Sequence, residues 1–213
     1  MQRASAERIS HRYDRLALIY GPLSVALMLR RRMRDEAVRR LALGAGDSVL
    51  EVGCGSGANL ERLVAAVGPG GAITGIDLSA QMLERAERLR QRNRWENVVL
   101  REQDARKLDR GAEFDAVLFS LSYSVLPCPR ETLAAVWSLL RPGARIVVMD
   151  AGLPAGRLGR LLRPLASTVS RATVLGDPDS RPWEDLVALG AAEVETDRFQ
   201  AGTYFVCSAR RPD

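Results

Sequence analysis

The sequence is poor in the residues that hold metals or build disulfide scaffolds. It has one histidine, His11, and three widely spaced cysteines, Cys54, Cys128 and Cys207. An odd number of scattered cysteines fits neither a disulfide framework nor a CxxC zinc site, and a single histidine weakens any metal or Ser-His-Asp interpretation. We therefore expect no bound metal and a reducing, cytoplasmic compartment.

Long apolar runs are scarce as well. The stretch from Leu16 to Leu29 carries no charge, but it is shorter than the about 20 residues that a membrane-spanning helix needs. Residues 1–10 are polar and lack the apolar core of a signal peptide. These features predict a protein that does not cross a membrane.

Lysine is nearly absent. Lys107 is the only lysine among 31 basic residues, so the net charge of +5 rests on arginine. A codon-biased genome would produce this bias, and so would contact with phosphate or lipid, because arginine binds phosphate through paired hydrogen bonds. Nucleic acid is not expected as a partner, since few aromatic side chains are interleaved with the basic residues.

The order of the apolar segments predicts the fold. With 46% hydrophobic and 27% charged residues, the composition is that of one folded domain, residues 1–213. Helices at 4–20 and 23–42 precede short apolar strands that alternate with helices, which predicts a parallel α/β sheet covered on both faces. The strands are expected at 48–52, 72–77, 98–100, 114–119, 145–150, 192–196 and 203–209, and the later helices at 59–67, 79–93, 129–140 and 183–189.

A glycine-rich loop follows the first strand and carries the sharpest signal. It reads Glu51-Val-Gly-Cys-Gly-Ser-Gly57. Glycines allow the backbone to approach a ligand closely, and the N-terminus of the next helix offers free N–H groups to a negative group. Gly53, Gly55 and Ala58 also satisfy the G-x-G-x-x-G/A dinucleotide pattern, so the loop alone leaves a nicotinamide cofactor open.

Acidic residues at successive strand ends help to distinguish between the candidate cofactors. Asp77 ends the second strand, where a carboxylate can accept both ribose hydroxyls, and ligands of such sheets bind at this edge. Glu51 would repel a pyrophosphate but could organise a cationic amino-acid group. Asp104 follows the third strand and could accept from an adenine amino group, with Leu78 and Met82 as apolar contacts around that ring.

As an ordered set, these motifs resemble those of the class I S-adenosylmethionine-dependent methyltransferases. The resemblance runs from about residue 10 to the C-terminus. It implies a Rossmann-like α/β fold, a seven-stranded mixed sheet whose last strand is antiparallel, with helices on both faces. The residues that carry it are Glu51–Gly57, Gly75–Ser79, Met82-Leu83, Asp104-Ala105, Phe114-Asp115 and Leu139–Gly143.

The resemblance also implies a cofactor and its contacts. The cofactor would be S-adenosyl-L-methionine and the product S-adenosyl-L-homocysteine. Asp77 would hold the ribose and Asp104 the adenine end. The remaining expected contacts are the glycines Gly53, Gly55 and Gly57 along the methionine portion, together with Glu51, Cys54, Leu78, Met82, Ala105 and Ser120.

The opening Tyr13-Asp-Arg-Leu-Ala-Leu-Ile-Tyr20 resembles the start of the quinone and bacterial phospholipid N-methyltransferases. The match implies a helical lid over residues 1–45, a cofactor-binding core over 46–150, and an acceptor-side region with the final strands over 151–213. Tyr20 would then bond near the cofactor carboxylate or the acceptor. Alternatively, Tyr13 and Tyr20 share one buried helical face.

The segment after the fourth strand, Phe119–Pro127, lacks the Gly/Arg/Asn signature that we associate with quinone C-methylation, and Asn-Pro-Pro-Tyr of the base-amine methyltransferases is replaced by Leu121–Tyr123. This departure favours N-methylation of a lipid amine, which depends largely on positioning. Tyr20 and Tyr123 are the predicted catalytic residues, because their hydroxyls could orient the amine. His11 is a further candidate base, although a lone histidine in a polar segment is usually exposed.

Two segments, Arg15–Arg34 and Ala151–Gly176, contain no acidic residue and give information about the type of acceptor. Basic amphipathic segments can lie in an anionic membrane interface, but the same leucine stripes could pack on the sheet as a lid. We predict a peripheral enzyme of the inner membrane face that N-methylates a phospholipid headgroup such as phosphatidylethanolamine. The alternatives are a small-molecule or quinone methyltransferase and a non-catalytic cofactor- or lipid-binding protein.

Overall fold

The computed structural model describes residues 31–109, 111, 113–153, 159, 161, 176–177, 179–199 and 202–213. The predicted helix at 4–20, including Tyr13 and Tyr20, lies outside the described residues, as do His11 and most of the second basic segment. Within the described ranges, helices cover both faces of one seven-stranded sheet.

The elements follow the predicted alternation. The strands are β1 (Ser48–Val52), β2 (Ala72–Asp77), β3 (Val98–Glu102), β4 (Phe114–Ser120), β5 (Leu140–Ala151), β6 (Ala192–Phe199) and β7 (Tyr204–Arg210). The helices are α1 (Arg31–Arg40), α2 (Leu60–Val67), α3 (Ala80–Asn93), α4 (Pro129–Ser138) and α5 (Pro182–Ala188). Two short 3₁₀ turns, Ala105–Lys107 and Tyr123–Val125, follow β3 and β4.

The strand order indicates where on the sheet a ligand would bind. The sheet runs β3-β2-β1-β4-β5-β7-β6. Strands β1 to β5 are parallel, and β7 is antiparallel to both of its neighbours. The chain reverses its direction of winding between β1 and β4, and ligands of open α/β sheets bind beyond the carboxyl ends of the strands at such a point. The predicted fold class is confirmed.

Alternation along β1 divides its side chains between the two faces of the sheet. Leu50 and Val52 join the core that α4 and α5 cover, whereas Val49 joins the core that α1, α2 and α3 cover. Glu51 therefore points to the same side as Val49, since successive strand residues face opposite ways. This placement brings the carboxylate under α1 and the start of α2.

The strand ends differ from the sequence prediction where the chain is polar. β6 continues to Phe199 instead of stopping at Thr196, and most of its last residues are exposed. Backbone hydrogen bonds pair β6 with β7, and the pattern of apolar side chains in the sequence does not predict such bonds. Helix α4 ends at Ser138, two residues before its predicted end. Strand β5 begins at Leu140, five residues before its predicted start, and Pro142-Gly143 lies where its pairing with β4 is irregular.

The described part of the second predicted helix, α1, packs on the sheet through Met33, Ala37 and Val38. It ends at Arg40, before the predicted end at residue 42. Arg34 also lies on the packed side and is 9% exposed, which corrects its predicted place on a basic membrane face. Among the described residues, no helix is long and apolar enough to cross a bilayer.

Candidate functional site

A cavity opens beyond the carboxyl ends of β1, β2, β3 and β4. Most of the residues predicted to contact a cofactor line it together. They are Glu51, Gly53, Cys54, Gly55, Asp77, Leu78, Met82, Asp104, Ala105 and Ser120. Residues from four separate strand ends thus converge on one space, as the topology requires.

The glycine loop folds back onto the end of β2. The backbone N–H groups of Gly53 and Cys54 donate to the carbonyl of Ile76 at 2.8 and 3.0 Å. The N–H of Gly55 donates to Oδ2 of Asp77 at 2.8 Å. These bonds fix the loop beside Asp77, so that its backbone forms one wall of the cavity. Burial raises the pKa of the Cys54 thiol, which keeps it neutral within this wall.

Neither Gly53 nor Gly57 of the loop has room for a side chain, but the residue that a side chain would meet differs. A Cβ on Gly53, which has φ +70°, would lie 2.4 Å from Cβ of Ser122 in the loop after β4. A Cβ on Gly57, at φ +83°, would lie 2.7 Å from Cδ1 of Leu60. Gly57 is not among the described residues that line the cavity. Gly57 allows α2 to pack closely, and its contact with the methionine portion stays a prediction.

Asp77 is held by backbone groups on both sides. Its Oδ1 accepts from the N–H of Ser79 at 2.9 Å, and its Oδ2 accepts from Gly55. Ser79 in turn begins α3, because its hydroxyl accepts from the N–H of Met82. The carboxylate is only partly buried and faces the cavity. A fixed, accessible pair of acceptors at the end of β2 suits a ligand with two hydroxyls.

Glu51 is the most deeply buried acid of the cavity, with 1% exposure. Its Oε1 accepts from Nδ2 of Asn59 at 2.5 Å, whereas Oε2 has no hydrogen-bond partner among the described residues. Burial raises the pKa of Glu51 to about 7, and the Asn59 hydrogen bond and the nearby Arg34 charge oppose that rise. The arrangement leaves one buried oxygen ready for a cationic donor.

Arg34 reaches into the cavity from α1. Its Nη1 donates to Oδ1 of Asn59 at 2.8 Å and to Oγ of Ser120 at 3.2 Å. Sequence reasoning assigned neither Arg34 nor Asn59 to the site. The signal for Arg34 was its spacing, three residues before the apolar Ala37 and thus on the same helical side. The cavity therefore contains a buried cation near a buried carboxylate.

Asp104 lies at the cavity, but its carboxylate already accepts hydrogen bonds from within the protein. Arg106 holds its carboxylate, with Nη2 2.7 Å from Oδ2, and the Arg106 backbone N–H donates to Oδ1 at 3.0 Å. The guanidinium lowers the pKa of Asp104. Arg106 also pairs with Glu131 of α4 at 3.1 Å. A ligand at this end would meet an ion pair as well as the apolar Met82 and Ala105.

The hydroxyl of Tyr123, which was predicted to orient the acceptor amine, bonds to another part of the protein. The side chain is buried, and its hydroxyl donates to Oδ2 of Asp185 at 2.8 Å. Tyr123 is not among the described residues that line the cavity. Burial and the Asp185 contact raise the pKa of this phenol far above its usual range. The ring packs edge-on against Phe119, and its hydroxyl is directed to α5 rather than to an acceptor.

The wall after β4 is apolar where it meets the cavity. Its lining includes Leu121, Val125, Leu126 and Pro127, and Oγ of Ser122 is bonded to the carbonyl of Val52 at 2.6 Å. Within the described stretch 121–127, no side chain bears a charge. Nor do the described residues contain a group of three His, Cys, Asp or Glu side chains that could hold a metal ion.

Known proteins are similar to this chain in sequence and in fold. A family model described as "Methyltransferase domain" matches residues 50–146. A demethylmenaquinone methyltransferase of Geobacillus sp. is 25% identical over 157 residues, 72% of this chain and 67% of that protein. One from Staphylococcus aureus is 33% identical over 149 residues, 70% of this chain and 59% of that protein. The chain thus spans 59 to 67% of the length of these relatives.

The solved structures agree on the fold. Geranyl diphosphate C-methyltransferase from Streptomyces coelicolor, solved with S-adenosyl-L-homocysteine, superposes with a TM-score of 0.72 at 14% identity, covering 85% of this chain and 79% of that one. The strand order, the glycine loop and the strand-end carboxylates of the present structure match the motifs that suggested the family. The matching family model, the similar relatives and the fold together support a class I S-adenosylmethionine-dependent methyltransferase.

Proposed function

We propose that this chain methylates an apolar, ring-bearing small molecule of the quinol type. The observation that carries the proposal is the uncharged wall of the cavity, formed by Leu121, Val125 and Leu126 after β4. Such a wall favours an apolar acceptor over a charged headgroup, because burying a charge without a partner is costly. The similarity to demethylmenaquinone methyltransferases supports the same acceptor class.

The cavity fits the amino-acid end of S-adenosylmethionine. Oε2 of Glu51, buried and without a hydrogen-bond partner among the described residues, would accept from the α-ammonium group. The Arg34 guanidinium, which lines the same space, would pair with the α-carboxylate. A pyrophosphate at this position would be repelled by Glu51, so the arrangement also argues against a nicotinamide cofactor.

The nucleoside end has partners of its own. Asp77 would accept from the ribose hydroxyls, and Leu78 and Met82 would cover the adenine ring. Each oxygen of Asp104 already accepts two hydrogen bonds from Arg106, so Asp104 would accept from the adenine amino group only where Arg106 gives up one of them. When bound, S-adenosylmethionine supplies a methyl group that its positively charged sulfur makes electrophilic.

The chain's contribution to methyl transfer is chiefly positioning and exclusion of water. The wall at 121–127 would hold the acceptor against the cofactor, where alignment of the reacting atoms replaces a collision in solution. None of the described residues of that wall could remove a proton from the acceptor. We therefore expect turnover to favour acceptors that are already nucleophilic or partly ionised at the assay pH.

N-methylation of a phospholipid is the second candidate, favoured by the departure from the quinone signature at 119–127. The small molecule ranks first for two reasons. Arg34, one of the basic residues assigned to the membrane, points into the cavity. The apolar wall also offers no charged partner to a phosphate within the described stretch 121–127.

An assay with methyl-labelled S-adenosylmethionine separates the two acceptors. The probes are a short-chain demethylated naphthoquinol, kept reduced, and vesicles that contain phosphatidylethanolamine. We expect label in the naphthoquinol, with a mass increase of one methyl group. Label in phosphatidylethanolamine and none in the naphthoquinol would overturn the proposal and restore the lipid prediction.

Replacement of Arg34 tests the carboxylate contact. We expect Arg34→Met to lower the affinity for S-adenosylmethionine by about 10- to 100-fold, the range of one charge-assisted hydrogen bond. Arg32→Gln is the matched control, because Arg32 lies two residues earlier on the same helix and is exposed. Titration calorimetry measures both. Equal affinities in the two variants would mean that Arg34 serves the packing of α1 alone.

A further inference from the structure

We infer that Asp150 is a positioning residue that holds the acceptor wall in place from behind. The inference deepens the proposed function and rests on it, because it concerns the side of the cavity where the acceptor would bind. Asp150 is the second-last residue of β5 and is not among the described residues that line the cavity. Its influence would reach the acceptor through the loop after β4.

Asp150 is a buried carboxylate with three bonds to backbone and hydroxyl donors. It is 2% exposed. Oδ2 accepts from the N–H of Ser124 at 2.8 Å, and Oδ1 accepts from the Ser124 hydroxyl at 3.0 Å and from the N–H of Ala151 at 2.8 Å. Two of the three bonds go to the 3₁₀ turn Tyr123–Val125, so this turn is fastened to the end of β5.

The same turn also contacts residues 176–177. The N–H of Asp177 donates to the carbonyl of Ser124 at 2.8 Å. Gly176 lies so close that a Cβ there would come within 1.9 Å of the Ser124 hydroxyl oxygen. Ser124 therefore contacts both β5 and residues 176–177. Movement of the Asp150 carboxylate would break both of its hydrogen bonds to Ser124 at once.

A third anchor connects the turn to the helices. The Tyr123 hydroxyl donates to Asp185 of α5, and Asp185 also pairs with Arg130 of α4 at 2.8 Å. This bond gives Tyr123 a structural role in holding the turn. The turn is thus tied to β5, to residues 176–177 and to α5, while its neighbours in sequence line the cavity.

The wall needs such support because its backbone is strained. Leu121 has φ +56°, a left-handed conformation that disfavours residues with a Cβ. Strained residues persist where the surrounding structure holds them, often at functional sites. Leu121 lines the cavity two residues before the anchored turn, and Val125 lines it at the end of the turn. Loosening the anchor would let both side chains move.

A carboxylate suits this place better than an amide. All three contacts of Asp150 are donors, and a side-chain amide would turn an N–H group toward one of them. Burial raises the pKa of Asp150 to about 6, and the hydrogen bonds from Ser124 and Ala151 limit that rise. Asp150→Asn therefore removes the charge with little change of volume, and it leaves every residue of the cavity lining in place.

The test compares acceptor and cofactor kinetics in Asp150→Asn. We expect the KM for the naphthoquinol probe to rise at least about tenfold, the loss of one charge-assisted bond. The Kd for S-adenosylmethionine should stay within about twofold. Hydrogen–deuterium exchange should accelerate in peptides that cover 121–128, with little change in peptides from β1 and β2.

Asp115→Asn is the control for simple destabilisation. Asp115 lies near the opposite end of β4, where it accepts from the N–H of Ser48 at 2.8 Å and pairs with Arg141. Its loss should lower the Tm but not raise the acceptor KM. An equal rise of KM in both variants would overturn the inference. Exchange needs no acceptor, so uniform acceleration in Asp150→Asn would overturn it even if another molecule proves to be methylated.

Discussion

Glu51→Gln is expected to lower the affinity for S-adenosylmethionine about 100-fold at pH 8. Glutamine has nearly the same shape, but it replaces the buried charge that would face the cofactor's ammonium group. Truncating one partner of a buried, hydrogen-bonded charge pair costs about 3 kcal/mol, which is about 100-fold in Kd. The measurement is titration calorimetry with the wild-type chain and the variant.

The pH dependence of that affinity provides the sharper test. The raised pKa of Glu51, about 7, means that below this pH the carboxyl must lose a proton before it can pair with an ammonium group. Affinity should therefore rise with pH, by at most about tenfold per unit, and level off above about pH 7. Glu51→Gln should give a flat profile. A wild-type profile that is equally flat would contradict the assignment.

Gly53→Ala is expected to destabilise the chain by about 3 kcal/mol. A Cβ there would lie 2.4 Å from Cβ of Ser122, and φ is +70°. The left-handed conformation costs an alanine about 1 kcal/mol and overpacking adds about 2 kcal/mol. Urea unfolding without cofactor measures the total decrease in the free energy of unfolding. We expect the midpoint to fall clearly, because Ser122 is also bonded to Val52 and cannot retreat freely.

Gly55→Ala is the matched control in the same loop. Gly55 also has a left-handed conformation, at φ +56°, but a Cβ there would have no described atom within 4 Å. Its replacement should cost only the backbone contribution, about 1 kcal/mol. Equal unfolding midpoints for the two variants would show that the loop after β4 adapts to a side chain at Gly53, contrary to the expected overpacking.

Local patterns account for what the sequence predicted well. The strands of the sheet are short apolar runs, and the glycine loop with Glu51 and Asp77 occupies a fixed place in such a sheet. The cavity brings these residues together as expected. Their roles toward a bound cofactor remain predictions.

The rest of the site depends on contacts between distant segments. Arg34 meets Asn59 across 25 positions and Ser120 across 86. Nothing near Arg34 in the sequence distinguishes it from the other arginines of its segment except a helical side that also carries apolar residues. Tyr123 was assigned to the acceptor because it follows β4, but its orientation is set by Asp185, 62 positions later.

The exposed strand at the border of the sheet, β6, has a consequence for solubility. A border strand offers unpaired backbone groups to any extended segment of another chain. On β6, Glu193 pairs with Arg145 and Arg210, and Asp197 pairs with Arg40. An incoming strand would have to strip water from these ion pairs as it aligned. The charges along β6 thus disfavour edge-to-edge aggregation at this border of the described sheet.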